Sequence, residues 1–268
     1  MKLSVRHVTR HAYEMPVRAI VQSLRMFPVS NGGQKVVTWA VTIDGANFGE
    51  IIRDGAGDLI RTATLAGPLT SCDIVVTGEV ETTDTAGVLI GHRESLPAVT
   101  YLTETPMTGR TEALRALALQ GQGDGALALA HDLSRLVQQK IAYVPGMTQH
   151  GTIAAEVLAL GQGVCEDMTH VLITLAHARG LPARYVTGYL AAREGEPPHE
   201  ASHAWAEIFV EGLGWVGFDP ANACCPDERY IRMGSGRDAE GAAPIRGSFR
   251  GKGAHQIDLE VAVGQAAQ

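Results

Sequence analysis

From residue 111 onward, apolar residues recur every three or four positions, and before that they cluster in β-branched runs. The second pattern covers residues 35–44, 58–67 and 72–84, each rich in Val, Ile and Thr and separated by Gly breaks. Such runs at such spacing predict strands of a small sandwich or open barrel. The change of period falls near residue 105. It divides the chain into a β-rich part, 1–105, and a helix-bearing part, 106–268.

The helical part opens at Thr111, a predicted N-cap, and GQGDG breaks the pattern after one short helix. Leu129, Leu133, Leu136, Val137 and Ile141 then mark one face of a longer helix. His131 and Asp132 on it read as solvated polar positions. Thr152 is placed to cap IAAEVLAL, which runs into a Gly-Gln-Gly turn. Beyond the turn, Val164, Met168, Val171, Leu172, Leu175 and Ala176 mark a third face, which Gly180-Leu181-Pro182 ends. Residues 183–192 read as a strand. HAWAEIFV alternates with a period of two, EGLG turns, and WVGFDP returns, so 203–220 is a hairpin. HQIDLEVAV reads as a last strand.

Cys165 falls in the first turn of the helix after the Gly-Gln-Gly break. Unpaired backbone N–H groups and the positive end of the helix dipole favour an anion there, and the thiolate is the reactive form of cysteine. In the hairpin, an odd loop pairs Phe209 with Trp215 and puts His203 and Asp219 on one face as diagonal neighbours. An even loop would separate them. If the Cys165 helix packs across that face, nucleophile, base and orienting acid meet. A thiolate attacks a carbonyl carbon, the imidazole carries the proton, and the carboxylate holds the ring. Backbone N–H groups at the helix start are placed for the oxyanion, with Gln162 and Trp205 as candidates for a second donor. Tyr143, Tyr185, Tyr189 and Trp205 are candidates for lining a cleft or filling the core.

GVCEDMTH, followed by SHAWAEIFVEGLGWVGFDP, resembles the bacterial transglutaminase-like superfamily of cysteine proteases. The first hundred residues look like the N-terminal region these proteins carry, and residues 228–251 like their C-terminal segment. The resemblance implies an α+β fold with a papain-like core, a Cys-bearing helix packed on an antiparallel sheet. It also implies cysteine-dependent amide hydrolysis or acyl transfer, with Cys165 as nucleophile, His203 as base and Asp219 as acid. The expected substrate is a peptide or small amide, and no cofactor is expected, since no acidic calcium loop is evident. Glu166 and Met168-Thr169 stand where many relatives have Gln and Phe-Ala.

Two other readings compete. His199-Glu200-Ala201-Ser202-His203 matches HExxH, a zinc peptidase signature that needs both histidines on one helix. The strand-like alternation after His203 argues against that helix. A non-catalytic binding module on the same fold would need none of the three residues together.

Composition narrows the partners. The chain has 45% hydrophobic and 19% charged residues, as ordinary globular proteins do. Its net charge of −7 includes no basic run, so neither nucleic acid nor membrane is an expected partner. Charged residues in MKLSVRHVTRHAYEM occupy the place of a signal peptide's apolar core, which points to the cytoplasm. There reduced thiols are the rule, and Cys72, Cys165, Cys224 and Cys225 form no CxxC pair; no disulfide or structural zinc is expected. His7, His11 and His92 read as surface or core residues without a site.

Overall fold

The computed structural model describes residues 1–193 and 202–266. In the first part lie strands β1 (Lys2–Phe27), β2 (Gln34–Ile43), β3 (Asn47–Arg53) and β4 (Leu59–Thr82). Helices α1 (Glu112–Ala118) and α2 (Ala126–Lys140) follow, then β5 (Ala142–Tyr143), α3 (Ala154–Leu160), β6 (Gln162–Gly163) and α4 (Cys165–Ala178). The chain continues through β7 (Ala183–Leu190), β8 (His203–Val210), β9 (Gly214–Phe218) and β10 (Tyr230–Gly236). A short α5 (Ala239–Ala242) precedes β11 (Ile245–Phe249) and β12 (His255–Gln265).

The expected α+β architecture is present. Its second half is a four-stranded antiparallel sheet, order β10-β7-β8-β9, with α4 packed on one face. Ala204 and Ala206 let the helix approach that face, and Ile208, Met168, Leu172 and Leu175 fill the contact. α1, α2 and α3 cover the outer side of α4, so its residues from Asp167 to His177 are all buried. A helix enclosed all round is held rigidly, which suits one whose first residue carries the candidate nucleophile.

The first half differs in detail from the sequence expectation. Residues 58–67 and 72–84 fall almost wholly on one long strand, β4, which runs on through Pro68. Its partner β1 is longer still and pairs with it antiparallel over most of its length, with register shifts between Ala12 and Ala19. The result is one six-stranded sheet instead of two stacked ones: β1 and β4 at the centre, β2 and β3 on successive stretches of β4, β12 and β11 on successive stretches of β1. The final strand, read from HQIDLEVAV, therefore joins the N-terminal sheet. Side chains on the inner face of that sheet form the second apolar core, which also takes in Tyr189, Ile231 and Met233 from the other sheet.

A buried ionic network ties the two sheets together. Arg184 is fully buried between Glu94 and Glu207, with its guanidinium 4.0 Å from the centre of the Trp215 ring. Glu207 also accepts from Arg232 at 2.8 Å, and Arg232 donates to Asp58 of the N-terminal part at 2.8 Å. Burial alone would raise the Glu207 carboxyl; the two guanidinium groups overcome it and hold the group down at about 2. Among the described residues, no helix is long and apolar enough to cross a membrane.

Candidate functional site

Local chemistry fixes where α4 begins. The Asp167 carboxylate folds back to accept from the Val164 N–H at 2.8 Å and from the Thr148 hydroxyl at 2.6 Å. It satisfies one of the unpaired N–H groups of the first turn and anchors the preceding loop. Gly163 is needed beneath it: a Cβ there would lie 2.8 Å from an Asp167 carboxylate oxygen. Cys165 is the first helical residue, half-buried, with its carbonyl accepting from the Thr169 hydroxyl at 2.7 Å. Further along, buried His170 accepts from the Ala239 N–H at 3.1 Å, and burial pushes its pKa down to about 4. It serves as a neutral structural anchor. Thr152, expected as the α3 cap, instead bonds Gln149; Ile153 occupies the cap position and its N–H is taken by Glu156.

The hairpin has the odd-loop register. Phe209 faces Trp215 and Ala206 faces Phe218. His203 Nε2 donates to Asp219 Oδ2 at 2.5 Å. The Cys165 side chain lies close enough to the ring to raise its pKa. The structure thus brings Cys165, His203 and Asp219 into one neighbourhood.

The approach differs from the expected one. His203 and Trp205 lie on the face turned away from α4: Trp205 packs with Val186, Leu190 and Tyr230, while Ala204 and Ala206 meet the helix. The Cys165 side chain therefore comes near the imidazole around the end of the sheet and not across its face, from the first residue of α4 to the first residue of β8. Small alanines on the opposite face decide this, because they give a helix the closest seat. The Trp205 ring lies alongside His203, centroids 6.3 Å apart.

Asp219 is buried completely and its carboxylate is saturated with donors. Oδ2 accepts from His203, from Asn222 Nδ2 at 2.8 Å and from the Tyr230 hydroxyl at 2.8 Å; Oδ1 accepts from the Ala221 and Asn222 N–H groups at 3.0 and 3.2 Å. Burial would raise this carboxyl, but the bond to His203, its charge, and the bonds from Asn222 and Tyr230 lower it. His203 shows the reciprocal effect. Burial disfavours its charged form, yet the bond to Asp219, the charge of that carboxylate and the nearby Cys165 push the imidazole up to about 10.

Other groups frame the site. Burial raises the carboxyl of Glu166, against the opposing pull of His150 at 3.1 Å. Tyr143 is half-exposed, its phenol raised by burial and then by the charges of Cys165 and Asp219. Tyr185 and Tyr189 belong to the two cores. Gln162 pairs with Ala142 in the short β5–β6 ladder. His203 begins a strand and is committed to Asp219, which does not fit the helix that HExxH requires; His199 and Glu200 lie outside the described residues. No group of three or more His, Cys, Asp or Glu that could hold a metal ion occurs among the described residues. Cys224 and Cys225 are free and half-buried, with both thiols raised by burial; Cys224 contacts the Tyr230 hydroxyl at 3.3 Å.

Asn222, Tyr230 and Asp167 escaped the sequence reading. Asp167, three residues after the cap position, carried a legible capping signal. Asn222 sits in the turn after Asp219, where Asx residues commonly bond nearby backbone. Tyr230 lies on another strand and gave no signal.

Comparison with known proteins bears on the family and the fold. Residues 109–220 match the transglutaminase-like superfamily core, and residues 3–81 match the bacterial transglutaminase-like N-terminal region. An uncharacterised Mycobacterium leprae protein is 28% identical over 99% of this chain and 99% of its own length. An uncharacterised Mycobacterium tuberculosis protein is 37% identical over 43% of this chain and 40% of its own. Among solved structures, that of a candidate cysteine protease from Cytophaga hutchinsonii superposes with a TM-score of 0.76 at 19% identity, covering 100% of this chain and 91% of that one; the likeness is one of fold. With both of its halves matched in order, the chain belongs to the transglutaminase-like superfamily, in the bacterial form that carries its own N-terminal region.

Proposed function

We propose that the protein is a cysteine-dependent amide-bond hydrolase or acyl transferase that acts on a peptide or small amide through Cys165, His203 and Asp219. The observation that carries this reading is the imidazole bonded to a buried carboxylate, with the Cys165 side chain near it at a helix start. With its pKa raised to about 10, His203 carries a proton near pH 7.

The thiolate of Cys165 adds to the carbonyl carbon, and the electron pair of the C=O bond moves to oxygen. N–H groups of the first turn of α4 stabilise that oxyanion. On collapse, the C–N bond breaks and the amine leaves with the proton from His203, giving a thioester. Neutral His203 then takes a proton from water, or from an acceptor amine, as it attacks the thioester. Collapse of the second adduct releases the acid or new amide and returns the thiolate–imidazolium pair. Asp219 orients the ring throughout and stabilises its charged form.

Intact-mass analysis with a mixed peptide and amide library tests this. An acyl adduct is expected on the wild type and absent from Cys165→Ala. Selective alkylation of Cys165 by iodoacetamide at neutral pH, ahead of Cys72, Cys224 and Cys225, is expected as well. Uniformly slow alkylation of all four would favour a binding module.

A further inference from the structure

A cavity of about 520 Å³ lies beside the site, between the inner face of the N-terminal sheet and the start of β8. Its lining arises where that face changes character. Leu3 and Val5 on β1, and Val261 and Val263 on β12, are buried in the core. Farther along, the same rows become Thr9 opposite Leu259 and His11 opposite Ile257. Leu259 and Ile257 are 41% and 62% exposed although they point to the core side, so the sheet extends an apolar surface that the body of the protein leaves uncovered. Phe249 and Pro244 close a further wall.

Two rim residues connect this cavity to the chemistry. Ser202 immediately precedes His203, and His150 pairs with Glu166, which immediately follows Cys165. Among the described residues, the lining includes no Asp, Glu, Lys or Arg. Burial pushes His7 down to about 4, and burial and then His255 lower His11. His7 is satisfied by Tyr189 and Thr9, and His11 Nδ1 by His255 at 2.8 Å. Behind the wall, Gln22 Oε1 and His11 Nε2 have no hydrogen-bond partner among the described residues. A charged group passing the His150–Glu166 pair at the rim would lose its water and meet no Asp, Glu, Lys or Arg among the described lining residues. A bulky apolar group would cover Leu259, Ile257 and Phe249, and the volume is ample for an aromatic ring.

We infer that this cavity is the specificity pocket of the enzyme, holding a large uncharged side chain, aromatic or branched aliphatic, next to the amide bond that Cys165 attacks. The inference rests on the proposed cysteine chemistry. The pocket is built jointly by the first strand, the last two strands and Ser202, so the N-terminal sheet selects substrate as well as supporting the fold.

Rates of Cys165 alkylation, located by peptide mapping, test it with N-acetyl-aminoacyl chloromethyl ketones of Phe, Trp, Leu, Glu and Lys, and with iodoacetamide as a reference without a side chain. Burial of one apolar side chain predicts roughly a 10- to 100-fold preference for Phe, Trp and Leu over Glu and Lys. Leu259→Glu, at an exposed position that tolerates charge, is expected to remove the preference, read as each ketone's rate divided by the iodoacetamide rate on the same variant. A flat profile with reactive Cys165, or a preference that survives Leu259→Glu, overturns the pocket and leaves the enzyme proposal standing. A second measurement uses Cys165→Ala, titrated with N-acetyl-tryptophanamide while the methyl resonances of Ile257 and Leu259 are followed. Selective shifts there, with Cys165 inert to every reagent in the wild type, support the cavity as a ligand site and remove the enzyme proposal. No shift overturns the pocket.

Discussion

Asp219→Asn is the sharpest test of how the candidate site is held. Three donors converge on Oδ2, from His203, Asn222 and Tyr230, while two backbone N–H groups hold Oδ1. An amide keeps the Oδ1 contacts but turns an NH2 group toward the three donors. The Tyr230 hydroxyl can rotate to accept; Asn222 Nδ2 and an imidazolium N–H cannot. A hydrogen bond to a charged group contributes about 1.5–3 kcal/mol, and a broken buried ion pair costs about 3–5 kcal/mol, so a loss of about 3–5 kcal/mol is expected. The imidazole should fall from about 10 toward its ordinary range, since Asp219 is a principal cause of its elevation. Each unit of that fall is a factor of about ten in the protonated fraction once pH exceeds the new pKa. Urea denaturation reads the stability, and iodoacetamide alkylation of Cys165 across pH 5–9 reads the ion pair. A rate at least about tenfold lower than wild type at pH 7.5 is expected. A variant with wild-type stability and an unchanged alkylation profile would refute the account of Asp219 as the group that charges the ring.

Three further outcomes follow from the same contacts. Glu207→Gln leaves Arg184 and Arg232 buried without their shared counter-ion and should cost about 3–5 kcal/mol in urea denaturation at pH 7. Because the Glu207 carboxyl is held at about 2, its contribution is present above its unfolded pKa and fades as pH falls through about 2; the variant should lack that acid limb. His203 has the opposite sign: its contribution is whole below about 6.5 and is lost as pH rises through about 10, so wild type should lose more stability than His203→Gln between pH 7 and 10.5. Asp167→Ala removes the bonds to Val164 and Thr148 and should destabilise by about 1–2 kcal/mol, measured by thermal melting.

The hairpin, α4 and their contributions to the site were legible because each has a local period. Alternation from His203 to Phe209 and the turn length set the register, and that register brings His203 to Asp219. The side of the sheet on which α4 lies was not legible. Alternation identifies two faces but does not say which one a distant helix prefers; Ala204 and Ala206 decided it by size. The long strands of the N-terminal sheet were cut short in reading because Gly67 and Pro68 look like punctuation, while pairing with β1 carries the strand past them. His7 and His11 gave no hint of a cavity. Its shape depends on β12 lying beside β1, a pairing between residues some 250 positions apart.

That pairing sets an order of events during synthesis. β1 leaves the ribosome well before its partners β11 and β12, and along much of its length one hydrogen-bonding edge stays bare until residues 245–265 have been made. Through that wait it offers a ready template to any extended segment, whether from the same chain or a neighbour. Slowing translation just ahead of residue 245 should therefore raise the aggregated fraction, and a chaperone that shields extended segments should lower it.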